Sequence, residues 1–146
     1  MHLYDALSYV WGDSDNPQSI YIGKHDLSVN RNLYAALSRL RNFSLERIIW
    51  VDAICIDQKN TKEKEQQIRL MPKIFSQANS VIVWLGEEAD DSDQALEVIV
   101  EAGRDRATSL SVEATVQQAV IKLLQRSWFR RIWVMIHLDY NTGVVC

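Results

Sequence analysis

The stretch Ile48-Ile49-Trp50-Val51-Asp52-Ala53-Ile54-Cys55-Ile56-Asp57-Gln58 decides how the chain is read. From Ile48 to Ile54 every residue but Asp52 is apolar, and several are β-branched. Such a run predicts a strand buried on both faces. An aspartate inside it must be paired, hydrogen-bonded or placed at the wet end, because an unpaired buried carboxylate is costly. The run stops at the polar turn Asp57-Gln58-Lys59-Asn60. In open α/β sheets ligands sit beyond the carboxyl ends of the strands, so Asp52, Asp57 and Gln58 fall where a site is expected. The plainer alternative is an aspartate that caps or braces neighbouring loops.

Working outward, composition narrows the class. The 146 residues are 47% hydrophobic, enough for one domain with a core of its own. The formal charge is −3 with both signs interspersed, which argues against a nucleic-acid surface. The cysteines are Cys55 and Cys146. That is no disulfide scaffold, and it points to a reducing, cytoplasmic setting. Cys55 reads as buried and inert. No apolar run reaches membrane-span length. Met1-His2-Leu3-Tyr4-Asp5 lacks the basic and apolar blocks of a secretory signal. No cysteine–histidine spacing suggests a metal site.

Leu3–Val10 predicts a first strand that ends at Trp11-Gly12-Asp13. Ile20 and Ile22, then Leu27 and Val29, alternate with polar neighbours around Gly23-Lys24-His25-Asp26, which predicts a β-hairpin added to a sheet edge. Asn30 is an N-cap for a helix with Leu33, Ala36, Leu37 and Leu40 inward. Asn60 and Glu63 make a capping box for a helix with Ile68, Met71, Ile74, Phe75 and Ala78 inward, which Pro72 should kink because it removes one backbone bond. Val81-Ile82-Val83-Trp84-Leu85-Gly86 reads as a second buried parallel strand. A helix over 92–106 follows, with Ala95, Leu96, Ile99 and Ala102 inward. Another begins near Ser111, with Leu123 and Leu124 among its inward residues, and a further helix covers 128–138. Alternation of this kind implies an α/β fold, a parallel sheet with helices on both faces and an added hairpin. The tail 139–146 looks too short to supply further strands, so the fold is expected to be truncated at its C-terminus.

Five blocks in this order resemble the fungal heterokaryon incompatibility (HET) domain family. They are Tyr4-Asp5-Ala6-Leu7-Ser8-Tyr9-Val10-Trp11-Gly12; residues 27–37 with Leu40-Arg41; residues 49–58 with Asn60, Glu63 and Gln66-Gln67; residues 71–86; and Trp128-Phe129-Arg130-Arg131-Ile132-Trp133-Val134. The resemblance covers nearly everything up to Val134 and assigns 1–138 to the domain and 139–146 to an atypical tail. It implies a cytoplasmic module of allorecognition, a form of fungal innate immunity, whose activation triggers programmed cell death. It also implies a distant likeness to the flavodoxin-like Toll/interleukin-1-receptor (TIR) domain, some members of which cleave NAD with a helix-borne glutamate.

That cleavage leaves an oxocarbenium-like ribose, which a carboxylate stabilises. In the family the Trp-Phe-x-Arg-x-Trp-Val block is followed by Leu-Gln-Glu. Here the run is Met135-Ile136-His137, so His137 holds the glutamate position. The resemblance therefore allows NAD as a substrate but implies that cleavage is weak or absent. It names no resident cofactor. Its partners would be a second copy, another incompatibility protein or a nucleotide ligand.

The remaining candidates each carry two readings. Ser8, Trp11 and Gly12 either line a pocket at the exit of the first strand, with Trp11 stacking on a ring, or close the core end. Asp57 and Gln58 either bond a ribose or brace their loop. Arg130 and Arg131 either bind a phosphate as paired cations or form a solvated basic face or an ion pair with the acidic stretch Glu87–Asp93, and Arg130 shares a helical face with Trp133 and His137. Two further functional classes stand beside the enzyme. One is a non-enzymatic module that assembles through homotypic contacts. The other makes Asp52 a phosphoacceptor, which needs an acidic pair at the first strand's exit. Asp5 lies at the wrong end for that, and only Asp13 lies beyond the exit.

Overall fold

The computed structural model describes residues 4–13, 15–41, 44, 46–104, 114–130 and 142–145. Its first strand, β1, is Asp5–Ser8. Strands β2 (Gln18–Ile22) and β3 (His25–Val29) form the hairpin, followed by helix α1 (Arg31–Leu40). Strand β4 (Ile49–Trp50) leads into a short helix α2 (Asp52–Cys55) and a long one, α3 (Thr61–Gln77). Then come β5 (Ser80–Trp84), α4 (Ser92–Arg104), α5 (Ala114–Leu124), a 3-10 turn at Ser127–Arg130 and β6 (Thr142–Val145).

Four strands make one sheet in the order β4-β1-β5-β6, every pairing parallel. The β1–β5 register sets Asp5 opposite Ser80 and Ser8 opposite Val83. Alternation along the strands divides the core in two. Ala6, Val81 and Val83 point to a layer containing Phe75 of α3, Ala95 of α4, Ala119 and Leu123 of α5, and Trp128. Leu7, Tyr9, Ile82 and Trp84 point to the opposite layer, with Val29, Leu33, Ala36 and Val51. Helices thus cover both faces, as near-continuous apolar strands require.

Local chemistry explains the boundaries. The Asn30 Oδ1 accepts from the Leu33 N–H (2.8 Å) and starts α1. The Asn60 Oδ1 accepts from the Glu63 N–H (3.2 Å), but the Glu63 carboxylate reaches back to the Asp57 N–H (3.1 Å) rather than to Asn60. Helix α3 runs through Pro72 without a break. Pro72 lacks the N–H that would meet the Ile68 carbonyl, and Ile68 lies on the exposed side of the helix. The Tyr4 hydroxyl donates to the Ile74 carbonyl (2.7 Å), fastening α3 to the sheet, and partial burial pushes its phenol above the ordinary value.

Several sequence expectations are corrected. The run Ile48–Ile54 is not one strand: pairing stops at Trp50, and Asp52 opens α2. Strand β4 pairs on one side only among the described residues, with β1. A carboxylate suits the first turn of a helix better than the middle of a strand, so the chain turns at Asp52. Ile48 is exposed, and so is Cys55, which the turn carries out of the core instead of burying it. The hairpin pairs with itself as a separate two-stranded sheet rather than extending the main one. Its turn is Gly23-Lys24, with Gly23 at φ +62°, so His25 and Asp26 belong to β3. Ile68, Ile99, Ala102 and Leu124 are exposed rather than inward. The tail does supply a strand, since β6 lies parallel to β5 with Thr142 opposite Val81. Of the segment expected to be helical over 128–138, Ser127–Arg130 forms a 3-10 turn. The rest, like Ser111, lies outside the described residues.

Leu33 is fully buried. Leu33→Ala should lower stability by about 2–5 kcal/mol through lost transfer energy and a cavity. Tyr21→Ser, at a side chain 77% exposed, should change it by less than about 0.5 kcal/mol. Urea unfolding followed by far-UV circular dichroism checks both, with the slope of the transition unchanged.

Candidate functional site

The carboxyl ends of β1, β4 and β5 meet at one edge of the sheet, and the residues leaving them form two linked clusters. Asn32, in the first turn of α1, joins two of the strands directly. Its Nδ2 donates to the Val10 carbonyl at the exit of β1. Its Oδ1 accepts from the Nε1–H of Trp84, the last residue of β5 (2.8 Å). Trp84 is buried, so Asn32 satisfies a donor that water does not reach. Gly12, at φ +68°, carries the chain away from β1. A Cβ there would meet only the Asn32 Cβ at an ordinary 3.8 Å, so backbone conformation rather than space favours glycine.

The other cluster gathers several residues singled out from the sequence. The Trp11 indole N–H donates to Asp52 Oδ2 (3.0 Å), and the Ala53 N–H donates to Oδ1 (2.8 Å). The Gln58 Nε2 donates to the carbonyls of Asp52 (2.9 Å) and Ile56 (3.1 Å). Its Oε1 is buried with no partner among the described residues. The Lys64 ammonium lies 5.8 Å from the Trp11 ring centroid, within cation–π range. Asp57 Oδ1 accepts from the Lys59 N–H (2.9 Å). Trp11, Asp52, Asp57 and Gln58 therefore share one edge, and both Asp52 oxygens accept hydrogen bonds from within the chain. That is the geometry of a brace between the β1 and β4 exits.

The other candidates sit elsewhere. The Ser8 Oγ accepts from the Trp128 Nε1–H (3.0 Å) inside the core. It ties β1 to the 3-10 turn. Arg130 is exposed at the end of that turn. Arg131, Trp133 and His137 lie outside the described residues.

A cleft of about 590 Å³ opens at the same edge, on the side of α1. Arg31, Tyr34, Ala35, Ser38 and Arg39 form one wall. They recur at i, i+3, i+4, i+7 and i+8, the helical face opposite Leu33, Ala36, Leu37 and Leu40. Asn16 and Gln18 of the hairpin side, Trp84, Glu87 and Glu88 complete the lining. Arg31 reaches Glu87 at 3.6 Å, with both side chains largely exposed, so solvent screens the pair. The sequence pattern contained this wall, but it was read only for its buried stripe.

The acidic loop after β5 is held from behind. Arg126 donates to the carbonyls of Leu85 (3.2 Å) and Ala89 (3.0 Å), and Lys122 pairs with Asp90 (3.1 Å). Asp90 and Asp91 both sit in the left-handed region, at φ 54° and 56°. That conformation is costly for non-glycine residues and persists only when its surroundings fix it. Among the described residues no cluster of three or more His, Cys, Asp or Glu side chains is arranged to hold a metal ion, and no helix is long and apolar enough to cross a membrane.

Comparison with known proteins gives two matches. Residues 4–136 match the family model described as "Heterokaryon incompatibility protein (HET)". The chain is also 36% identical over 115 residues to "Heterokaryon incompatibility protein 6, OR allele" of Neurospora crassa, an alignment covering 70% of this chain and 17% of that relative. The chain thus spans a small part of the relative's length. No solved structure matches.

Asn32→Ala should destabilise the fold by about 1–3 kcal/mol, because the Trp84 donor and the Val10 carbonyl lose their shared partner. In a double-mutant cycle with Trp84→Phe the two effects should be non-additive by at least about 0.5 kcal/mol. Chemical denaturation of the four proteins measures this, and additive effects would sink the assignment.

Proposed function

The chain belongs to the heterokaryon incompatibility (HET) family, and we propose that it acts as that family's self/non-self recognition module, a cytoplasmic domain whose engagement triggers programmed cell death. The observation that carries this reading is the family match over residues 4–136, a span that takes in all five sequence blocks. On this reading the domain occupies about 1–138. Residues 139–146 depart from the family pattern in sequence, although β6 within them pairs with β5.

The strand order supports a flavodoxin-like, TIR-like architecture. Counting only the parallel strands in chain order, β4-β1-β5-β6 becomes 2-1-3-4, the opening of the flavodoxin order. In folds of that order the ligand crevice lies between the exits of strands 1 and 3, and the meeting of Val10, Asn32 and Trp84 at those exits supports the reading.

Enzymatic competence is a separate matter. A TIR-like NAD cleavage requires a carboxylate against the developing cationic ribose. The resemblance puts His137 at the family's glutamate position, and an imidazole, with or without its second proton, carries no negative charge to set against that ribose. NAD cleavage is therefore weak or absent, and Asp52, with both oxygens engaged, is a poor substitute. A module that acts by homotypic contact, or by contact with another incompatibility protein, fits the same chain.

The test is nicotinamide release from NAD by the purified chain beside a His137→Glu variant. The unaltered chain should release little. The variant should gain in rate about tenfold for each ~1.4 kcal/mol of barrier the carboxylate removes. Rapid release by the unaltered chain would overturn the reading. Silence from both, together with concentration-dependent self-association by sedimentation, would favour the contact-only module.

A further inference from the structure

We propose that the outer edge of β2 is a docking edge for an extended, uncharged segment of another protein, which adds to the hairpin as a third strand. The proposal rests on the hairpin alone, whichever way the NAD measurement falls.

The first argument is which backbone groups are left over. The hairpin is joined by the two-residue turn Gly23-Lys24. In such a hairpin the pair flanking the turn exchanges both N–H···O bonds, and the exchange recurs at every second pair. The register makes those pairs Ile22–His25, Ile20–Leu27 and Gln18–Val29. Ser19 and Tyr21 therefore turn their N–H and C=O groups away from β3. The hairpin stands as a sheet of two strands, and neither residue finds a backbone partner elsewhere among the described residues. Donors and acceptors left in a row at strand spacing are what an extended chain pairs with.

The second is that this edge is unguarded. Proteins blunt exposed edges with charge, proline or very short strands. Strand β4 is two residues long. The outer edge of β3 carries Asp26 at one of its outward-bonding positions, beside His25. Strand β2 reads Gln18-Ser19-Ile20-Tyr21-Ile22, five residues with neither a charge nor a proline. Isoleucine and tyrosine favour strands, so nothing in this stretch opposes a further pairing.

The third is the side-chain pattern, which sets the chemistry of the occupant. Alternation puts Gln18, Ile20 and Ile22 on one face of the hairpin and Ser19 and Tyr21 on the other. Ile20 packs against the core, whereas Ile22 is 48% exposed. A third strand sets its own side chains beside these as cross-strand neighbours. Apolar residues then cover Ile22, and polar or aromatic ones lie beside Ser19 and the exposed Tyr21 ring. A charge on the added strand meets no opposite charge on β2. The segment that fits is extended, apolar at alternate positions, β-branched and uncharged.

Fluorescence anisotropy of an end-capped, fluorescein-tagged peptide of alternating threonine and valine tests the edge. The peptide is titrated with the whole chain, with Ser19→Pro and with Ser28→Pro. The two serines lie directly opposite each other in the ladder, and both are exposed. Each proline removes one outward N–H, from β2 in one variant and from β3 in the other, and spares the bonds between the strands. Both variants should keep the native circular dichroism spectrum. The peptide should bind the unaltered chain saturably. Ser19→Pro should weaken it about two- to tenfold, the worth of one N–H···O bond, and Ser28→Pro should leave it unchanged. The same peptide N-methylated throughout should not bind, a comparison that needs no variant to fold. No saturable binding would overturn the proposal, as would equal binding of the N-methylated peptide or equal weakening by the two prolines. So would a dimer of the chain that Ser19→Pro dissolves while the peptide fails to bind, since the edge would then belong to a second copy.

Discussion

Asn32 is the point on which the arrangement of the carboxyl edge turns. Two strands whose exits point the same way must send their following segments apart, and something has to hold the diverging ends together. One amide does so by donating to the β1 exit and accepting from the last residue of β5. It works because α1 begins one residue earlier, under the Asn30 cap. The cap fixes where the first turn lies, and the first turn fixes where the amide lies. Because Trp84 is buried, the bond is made where water does not compete, so its loss leaves a stranded donor rather than a solvated one. The cleft, the glycine exit and the seating of α1 over the sheet all follow from this junction.

A second constraint acts on the neighbouring exit. Trp11, Asp52, Gln58 and Lys64 form a chain of contacts from the loop after β1, across α2, to the first turns of α3. Its bonds end on backbone atoms or on one another, with the Gln58 Oε1 left over. It holds loops at fixed separations. The α1 wall differs in kind, since Arg39 and Glu88 are exposed and have no hydrogen-bond or ion-pair partner among the described residues. The distinction between committed and uncommitted polar groups separates the two halves of the edge more clearly than residue type does.

What was legible in the sequence was what local patterns determine. The apolar run at 81–85 is a strand because both faces are covered. The caps at Asn30 and Asn60 act as their spacing implies. The run at 48–54 misled because apolar content measures burial, not pairing: Val51 is buried within a turn that leaves the sheet. The extent of β4 depends on a neighbour that periodicity does not see. The tail was misjudged for the converse reason, since four residues suffice for a strand when β5 presents an edge. At the carboxyl edge, the nearness of Trp11, Asp52 and Gln58 was legible because the blocks that contain them end at one edge. Asn32 and the α1 wall were not, because an outward helical stripe looks like solvated surface until a loop from elsewhere faces it.

The sheet order also governs how the molecule comes into being. Its inner strand β1 is made before either of its partners, since Asp5 pairs with Ile49 and Ser80. Both pairings close long stretches of chain, and parallel sheets of such non-local contacts form slowly. During synthesis the apolar face of β1 therefore waits, uncovered, until β5 has left the ribosome. The hairpin and α1, which need only local contacts, can form meanwhile and shelter Leu7 and Tyr9 on one side. The other face has no cover until α3 and the helices after β5 arrive. A nascent chain interrupted before residue 80 thus carries an exposed strand edge, the surface that chaperones bind and that, unattended, seeds aggregation.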